Sequence, residues 1–261
     1  MVSVSSGPGI DLWLPAGDPK ATVLYLHGGG FRRGSRAEPF LGGFAARLAG
    51  DGVALASASY RLNGTFQDLA ATDRPVARRL VGASARSGLG LAGRLYGPAF
   101  LVALWDAARA VAELRNGGVA AATAGKPVVV LGMSAGGILG LSLAFPPRVW
   151  QARLAAPDAV LAVSAAMVQP WCLRAGGPDC VMLHGSRDRI IPLQDARLAA
   201  ERAARVGARL TLVESGEAGH VRQLELLLSG QRADGRPWMG LLLDLVAKSA
   251  GLPLDGPRGL A

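Results

Sequence analysis

The sequence predicts a single α/β domain in which a mostly parallel β-sheet is covered by helices on both faces. Two observations lead to this fold class. Short apolar runs of strand length alternate with helical patterns along the 261 residues, as such a sheet requires. The apolar runs also end in glycine-rich or polar turns, which is where open α/β sheets carry their sites.

The elements follow one another without an internal repeat or a second domain. The predicted strands cover residues 10–14, as a short edge strand, and then 21–26, 53–59, 128–131, 159–164, 181–185 and 210–213. The predicted helices cover residues 38–49, 104–114, 138–145, 193–206 and 238–247. The tail 251–261 is rich in glycine and proline, and we expect it to be flexible.

Ser134 lies in the sequence Gly-Met-Ser-Ala-Gly, directly after the apolar run 128–131 and before a helical stretch. A serine on a sharp turn between a strand and a helix has a strained backbone that pushes its hydroxyl out above the sheet edge. The flanking Gly132 and Gly136 suit so tight a turn, because a side chain there would collide. The pattern predicts that Ser134 is a nucleophile.

A glycine loop follows the buried strand 21–26, with the sequence His27-Gly28-Gly29-Gly30-Phe31. Consecutive glycines leave the backbone N–H groups open to a ligand. The N–H groups of Gly29 and Gly30, together with that of Ala135, are predicted to form an oxyanion hole. His27 is expected to order this loop.

Asp188 and His220 each follow a predicted strand, so we expect both side chains near Ser134. His220 can accept the proton of Ser134, and Asp188 can orient and stabilise the imidazolium. Asp195 and Asp158 are rival acids, although both have the positions of capping or turn residues. His184 is expected to pack beneath the site.

The chain resembles an α/β-hydrolase over residues 22–220, within the esterase/lipase group that has an H-G-G-G loop and a G-x-S-A-G-G elbow. It is most similar to the hormone-sensitive-lipase-like and small carboxylesterase families. The order Ser134, Asp188, His220 is the triad order of that fold. The segment 59–62, Ser-Tyr-Arg-Leu, resembles the family's Asp-Tyr-Arg-Leu, with a serine in place of the aspartate.

The segment 63–102 departs from the family's usual pattern, and we predict that it forms a small cap or pocket insertion. It contains many small residues and begins where the strand 53–59 ends. Because little other chain is available to cover the site, we expect short-acyl or otherwise small ester substrates.

The resemblance implies a serine hydrolase that cleaves a carboxylic ester through an acyl-enzyme. An amide or formamide hydrolase, similar to an arylformamidase or a peptidase, remains an alternative because the same triad serves both reactions. A binding protein that has lost its chemistry on this fold is a further alternative, although such proteins usually lack a triad member.

The chain is basic, with 28 lysines and arginines against 19 acidic residues and a formal net charge of +9. The arginines are dispersed without interleaved aromatic residues, so we expect no nucleic-acid partner. Five arginines are concentrated in the segment 63–102, namely Arg74, Arg78, Arg79, Arg86 and Arg94. They form either a solvated face or a basic rim that steers acidic substrates or touches a membrane surface.

No apolar run reaches the length of a membrane span, so we expect no stable membrane insertion. The N-terminal residues lack the pattern of a signal peptide, and we therefore expect a cytoplasmic location. Cys172 and Cys180 are therefore expected to be reduced thiols, with a disulfide between them as the alternative. No ligand spacing typical of a metal site occurs, and neither a metal nor another cofactor is expected. The oligomeric state stays open.

Overall fold

A computed structural model describes residues 2–6, 9–216 and 218–253 of the chain. Its centre is an eight-stranded sheet. The strands are β1 (Val2–Ser6), β2 (Ile10–Leu14), β3 (Thr22–Leu26), β4 (Ala54–Ala58), β5 (Val128–Met133), β6 (Ala159–Val163), β7 (Gly176–His184) and β8 (Ala208–Glu214).

The strand order is β1-β2-β4-β3-β5-β6-β7-β8. β1 pairs with β2 and β2 with β4 in antiparallel fashion, and all the other neighbours are parallel. The central strands β3, β4, β5 and β6 are buried throughout, as expected of strands covered on both faces. The predicted α/β class is confirmed.

Helices cover the sheet on both sides. They are α1 (Leu41–Gly50), α2 (Arg74–Ala85), α3 (Pro98–Arg115), α4 (Ala135–Ala144), α5 (Leu193–Val206), α6 (Arg222–Ser229) and α7 (Gly240–Ser249). One apolar core contains the buried residues of α3, α4 and α5, and the other contains those of α1, α6 and α7. α4 is buried along its whole length because it lies directly on the sheet.

The register of the parallel strands aligns their carboxyl ends at one edge. Met133 at the end of β5 lies beside Val163 of β6, which lies beside Leu183 of β7. Leu183 in turn pairs with Val213 near the end of β8. The loops that leave these four strands therefore begin close together.

Two predictions about the strands are wrong. Residues 10–14 form a strand but not an edge strand, because β1 pairs with it along its whole length. The short, serine-rich β1 carries too few apolar residues to be predicted as a strand on its own. The strand predicted over residues 181–185 begins five residues earlier than expected, since β7 begins at Gly176 and extends the sheet along β8.

The segment 63–102 contains α2 and the first turns of α3, which begins at Pro98 rather than at the predicted residue 104. A short 3-10 turn at Phe66–Asp68 precedes α2, and a second one at Gly93–Leu95 lies between α2 and α3. The eight-residue helix α6 was not predicted.

Most of the tail that we expected to be flexible, residues 254–261, lies outside the described residues. Among the described helices, none has both the length and the apolar composition that crossing a bilayer demands.

Candidate active site

Ser134 lies on the turn between β5 and α4 with φ 53° and ψ −113°, a conformation that non-glycine residues seldom adopt. Its N–H donates a hydrogen bond to the carbonyl of Val163, 2.8 Å away, and its own carbonyl accepts the first hydrogen bond of α4 from Ile138. The neighbouring strand and the helix together hold the strained residue in place.

The glycines on either side of Ser134 allow this turn to form. A β-carbon on Gly132 would collide with the backbone of Gly136, and one on Gly136 would collide with the carbonyl of Leu26 at the end of β3. Gly137 is also confined, because a β-carbon there would lie 2.6 Å from the side chain of Ala165. α4 can therefore pack against β3 and β6 only with a glycine-rich first turn.

The structure brings Ser134, His220 and Asp188 together in one hydrogen-bonded row. His220 Nε2 lies 2.9 Å from Ser134 Oγ, and His220 Nδ1 lies 2.7 Å from Asp188 Oδ2. The carboxylate fixes the tautomer, because Nδ1 must carry the proton that it donates to Asp188. Nε2 is then free to accept the proton of the serine hydroxyl.

The Asp188 side chain has no solvent exposure, yet its carboxyl group ionises easily. Burial raises the pKa of this carboxyl, but hydrogen bonds from His220 and from the backbone N–H groups of Ile191 and Ile190 outweigh burial and lower it overall. Both backbone bonds are 2.9 Å long and go to Oδ1, which leaves Oδ2 for the imidazole. The carboxylate is thus a fixed negative charge behind His220.

The two rival acids have structural roles elsewhere. Asp195, in the first turn of α5, accepts hydrogen bonds from the N–H groups of Gly90 and Leu91 at 2.8 and 3.0 Å. It therefore ties the segment 63–102 to α5. Asp158 accepts a hydrogen bond from the N–H of Val128 and forms an ion pair with Arg115.

Two residues that were not predicted to act at the site contact members of the row Ser134–His220–Asp188. Ser164, fully buried at the end of β6 with φ 49°, donates a 2.8 Å hydrogen bond to the carbonyl of His220. His184 Nε2 lies 3.0 Å from the carbonyl of Ile191 and 3.4 Å from Asp188 Oδ2. His184 is fully buried, as expected of a residue beneath the site. The sequence feature that points to Ser164 is its position as a polar residue at the carboxyl end of an apolar strand.

The glycine loop approaches Ser134 from β3. Gly29 has φ 107° and Gly30 has φ 63°, values that favour glycine. A β-carbon on Gly29 would collide with the carbonyl of Arg33, so the loop could not fold back on itself with a larger residue there. Among the described residues, the N–H groups of Gly29, Gly30 and Ala135 have no hydrogen-bond acceptor, and they remain available to a ligand.

His27 and Tyr60 support this loop from below. Their rings stack 4.1 Å apart with an interplanar angle of 13°, and the Tyr60 hydroxyl donates a 2.7 Å hydrogen bond to the carbonyl of His27. Burial lowers the pKa of His27, against a smaller opposite effect of its hydrogen bond with the Gly28 carbonyl. Arg61 donates two hydrogen bonds to Asp106 of α3, from Nε to Oδ2 and from Nη2 to Oδ1, and this pair links the segment after β4 to that helix.

A cavity of about 1070 Å³ opens above Ser134 and His220. Its apolar wall is formed by Tyr25, Phe40, Leu95, Met133, Leu224 and Leu228. Ile190 and Val221 also line it, and these residues are 50% and 64% exposed. Its polar wall includes the glycine loop and the residues Arg32, Arg33 and Arg94. Such a cavity can hold an apolar chain with its reacting end at the serine.

The arginines of the segment 63–102 do not share one role. Arg74 donates hydrogen bonds to the carbonyls of Leu69 and Gln67, and Arg78 stacks on the ring of Phe66. Of the five arginines in this segment, only Arg94 lines the cavity. Leu95 lines it too, whereas Leu80 packs against the core. Whether the segment acts as a cap stays a prediction.

Cys172 and Cys180 are unpaired and buried. Burial raises the pKa of Cys172 to about 11, against smaller opposite effects of Arg174 and Arg202, and it raises the pKa of Cys180 further. Neither thiol is therefore a ready nucleophile. Within residues 2–6, 9–216 and 218–253, no cluster of three or more histidine, cysteine or acidic side chains could hold a metal ion.

The structure is similar to that of esterase 2 from the planctomycete Thermogutta terrifontis. The form phosphonylated by cyclosarin has a TM-score of 0.65 at 19% identity, with 95% of this chain and 90% of that chain covered. The propionate-bound form has a TM-score of 0.65 at 20% identity, with 96% and 91% covered. No protein-family model matches the chain, and no curated protein matches its sequence. At this level of sequence identity, structural similarity establishes the fold alone. The chain has the predicted α/β-hydrolase fold.

Proposed function

We propose that this protein is a serine hydrolase that cleaves carboxylic esters through an acyl-enzyme intermediate. The observation that carries the proposal is the row of contacts Ser134–His220–Asp188, with distances of 2.9 and 2.7 Å, at the floor of a cavity. A serine hydroxyl is a poor nucleophile until a base takes its proton, and here the base is in contact and already oriented.

In the proposed reaction, Ser134 Oγ attacks the carbonyl carbon of the ester while His220 Nε2 accepts the hydroxyl proton. The negative charge of Asp188 stabilises the resulting imidazolium. As the bond between the carbonyl carbon and the alcohol oxygen breaks, His220 returns the proton to the departing alcohol. Water then attacks the acyl-enzyme with the same help from His220, which releases the acid and restores Ser134.

The N–H groups of Gly29, Gly30 and Ala135 are the proposed oxyanion hole. Charge develops on the carbonyl oxygen during both attacks, and fixed donors in a site with little water stabilise it strongly. Loss of one such donor typically costs about 10²–10³ in kcat. The positive φ values of Gly29 and Gly30 and the free N–H groups support this assignment.

The structural neighbours and the sequence resemblance support the same chemistry. The Thermogutta terrifontis esterase is phosphonylated by cyclosarin in one structure and phosphorylated by paraoxon in another. This chain also resembles esterases and lipases with an H-G-G-G loop and a G-x-S-A-G-G elbow. We propose short-acyl esters as substrates. The cavity of about 1070 Å³ also has room for longer acyl chains. A series of nitrophenyl esters from acetate to decanoate therefore tests the preferred acyl length.

The test is turnover of 4-nitrophenyl acetate by the wild type and by Ser134→Ala, with covalent labelling by a fluorophosphonate. We expect a burst of nitrophenol, labelling of Ser134, and loss of both in the variant. Ser142→Ala is a matched control, because Ser142 is a fully buried serine of α4 whose hydroxyl has no hydrogen-bond partner among the described residues. Residual activity of Ser134→Ala above about 1% would contradict the assignment, since removal of a triad nucleophile costs several orders of magnitude. An N-formyl aromatic amine, hydrolysed faster than the esters, would favour the amide alternative.

A further inference from the structure

More positively than negatively charged residues line the cavity above Ser134. Its charged lining consists of Arg32, Arg33, Arg94, Glu38 and Glu225, which leaves one positive charge in excess. Glu38 acts on the Tyr25 hydroxyl, whose pKa is raised mainly by burial and further by this carboxylate. In the described contacts neither glutamate forms an ion pair with an arginine of this set.

The three arginines of the cavity also lack partners. In the part of the chain that the structure describes, none of their guanidinium groups has a hydrogen bond or an ion pair. Several arginines elsewhere in the molecule bind carboxylates closely, as Arg153 does with Asp73 at 2.7 and 2.8 Å. Three unpartnered guanidinium groups around one cavity are suited to a planar anion supplied by a ligand.

Arg94 is the best placed of the three. A β-carbon on Gly30 would lie 3.9 Å from Arg94 Nε, so this guanidinium group is next to a proposed oxyanion donor. The backbone around Arg94 is anchored on both sides, because Leu95 is buried and Asp195 binds the N–H groups of Gly90 and Leu91. An anchored backbone lowers the cost of presenting the charge at the reacting end of the substrate.

We propose that the substrate is an ester that carries a carboxylate within a few bonds of the scissile carbonyl, and that Arg94, helped by Arg32 and Arg33, binds this carboxylate. The inference rests on the proposed esterase function and names its substrate class. The apolar wall holds the chain of the substrate, and the arginines select its anionic end. The net charge of +9 favours the approach of such substrates.

The test compares two esters of equal chain length, mono-4-nitrophenyl adipate and 4-nitrophenyl hexanoate, which differ by a carboxylate in place of a methyl group. A second pair, 4-acetoxybenzoate and 4-methylphenyl acetate, places the charge on the alcohol side. The readout is the ratio of kcat/KM between anionic and neutral ester. We expect Arg94→Gln to lower this ratio by about tenfold in at least one pair, which corresponds to about 1.4 kcal/mol.

Arg79→Gln is the matched control, since Arg79 is an exposed arginine of the same segment that does not line the cavity. It should leave the ratio unchanged. Raising the salt concentration from 0.05 to 0.5 M should weaken the anion preference of the wild type, because the charges at the cavity mouth are exposed. A ratio that is unaltered in Arg94→Gln, Arg32→Gln and Arg33→Gln overturns the proposal, and so does an equal fall in Arg79→Gln.

Two further arms separate the other outcomes. If Arg94→Gln lowers turnover only when the ester is presented in phosphatidylglycerol vesicles, the arginines bind a lipid surface and the proposal is overturned. If neither ester is cleaved and the fluorophosphonate does not label Ser134, the proposed function fails, and binding decides the inference. Monomethyl adipate, which carries one carboxylate, should then raise the melting temperature of the wild type more than the neutral methyl hexanoate does. The absence of that difference, or its persistence in Arg94→Gln, overturns the anion site.

Discussion

Replacing Ser164 with alanine removes one hydroxyl that ties the end of β6 to the loop carrying His220. The hydroxyl donates a 2.8 Å hydrogen bond to the His220 carbonyl from a position without solvent exposure. A φ of 49° strains serine and alanine alike, because both have a β-carbon. The substitution therefore changes the hydrogen bond without changing the backbone strain. Such a bond contributes about 0.5–1.5 kcal/mol net.

If the bond holds His220 in its reacting position, its loss should appear in the rate. A barrier higher by about 0.5–1.5 kcal/mol lowers kcat/KM by about twofold to tenfold. The assay is hydrolysis of 4-nitrophenyl acetate, together with the rate at which a small fluorophosphonate labels Ser134. We expect both rates to fall by the same factor, because both need His220 to take the serine proton.

Two other variants distinguish positioning from stability. Ser164→Gly removes the same hydroxyl but also removes the β-carbon that strains a residue at positive φ, so its melting temperature should differ from that of Ser164→Ala. The two variants should nevertheless lose the same activity. Ser142→Ala removes a buried hydroxyl that has no hydrogen-bond partner within the described part of the chain, and it should change neither rate. A fall in melting temperature with unchanged rates in Ser164→Ala would refute the positioning role.

Three other outcomes are expected. Asp188→Asn should lower kcat/KM by up to about 10⁴, because the imidazole loses its partner, whereas Asp195→Asn and Asp158→Asn should cost much less; the reverse pattern would reassign the acid. The lowered pKa of Asp188 means that its stabilising contribution is present above the unfolded value of about 3.9 and is lost as the pH falls through the folded value. The drop in melting temperature between pH 5 and 2 should therefore be smaller in Asp188→Asn than in the wild type. Cys172 and Cys180 should react with a thiol reagent in denaturant without prior reduction, and only slowly in the folded protein, because burial raises the pKa of both thiols; absence of free thiols would indicate a disulfide.

The fold class and the meeting of Ser134, Asp188 and His220 at one edge of the sheet could be predicted because their signals are local. Each of these three residues follows a short apolar run of strand length, and parallel strands bring their carboxyl ends to one edge. The side chains of Ser134, Asp188 and His220 are in contact in the structure for this reason. The assignment of Asp188 over Asp195 rested on position within an element, and the contacts of Asp195 with Gly90 and Leu91 explain why it is not free to act.

What could not be predicted depends on contacts between residues far apart in sequence. Ser164 meets His220 across 56 positions, and no local pattern encodes that hydrogen bond. Among the basic residues of the segment 63–102, Arg94 was indistinguishable from Arg79 until the turn Gly93–Leu95 was placed beside the glycine loop. α6 was missed although Gln223 and Leu227 are buried one turn apart, because eight residues give a weak periodic signal.

The carboxyl edge of the sheet explains how two strained serines can coexist in the site. Ser134 follows β5 and donates its N–H to Val163 at the end of β6, and Ser164 follows β6 and donates its N–H to Leu183 of β7. The ladder of backbone hydrogen bonds thus continues one residue beyond each strand, where φ is already positive. Rigid, buried strands supply the constraint that holds both conformations. The position of the proposed nucleophile Ser134, and through Ser164 that of the His220 carbonyl, is therefore set by the register of the sheet rather than by the loops above it.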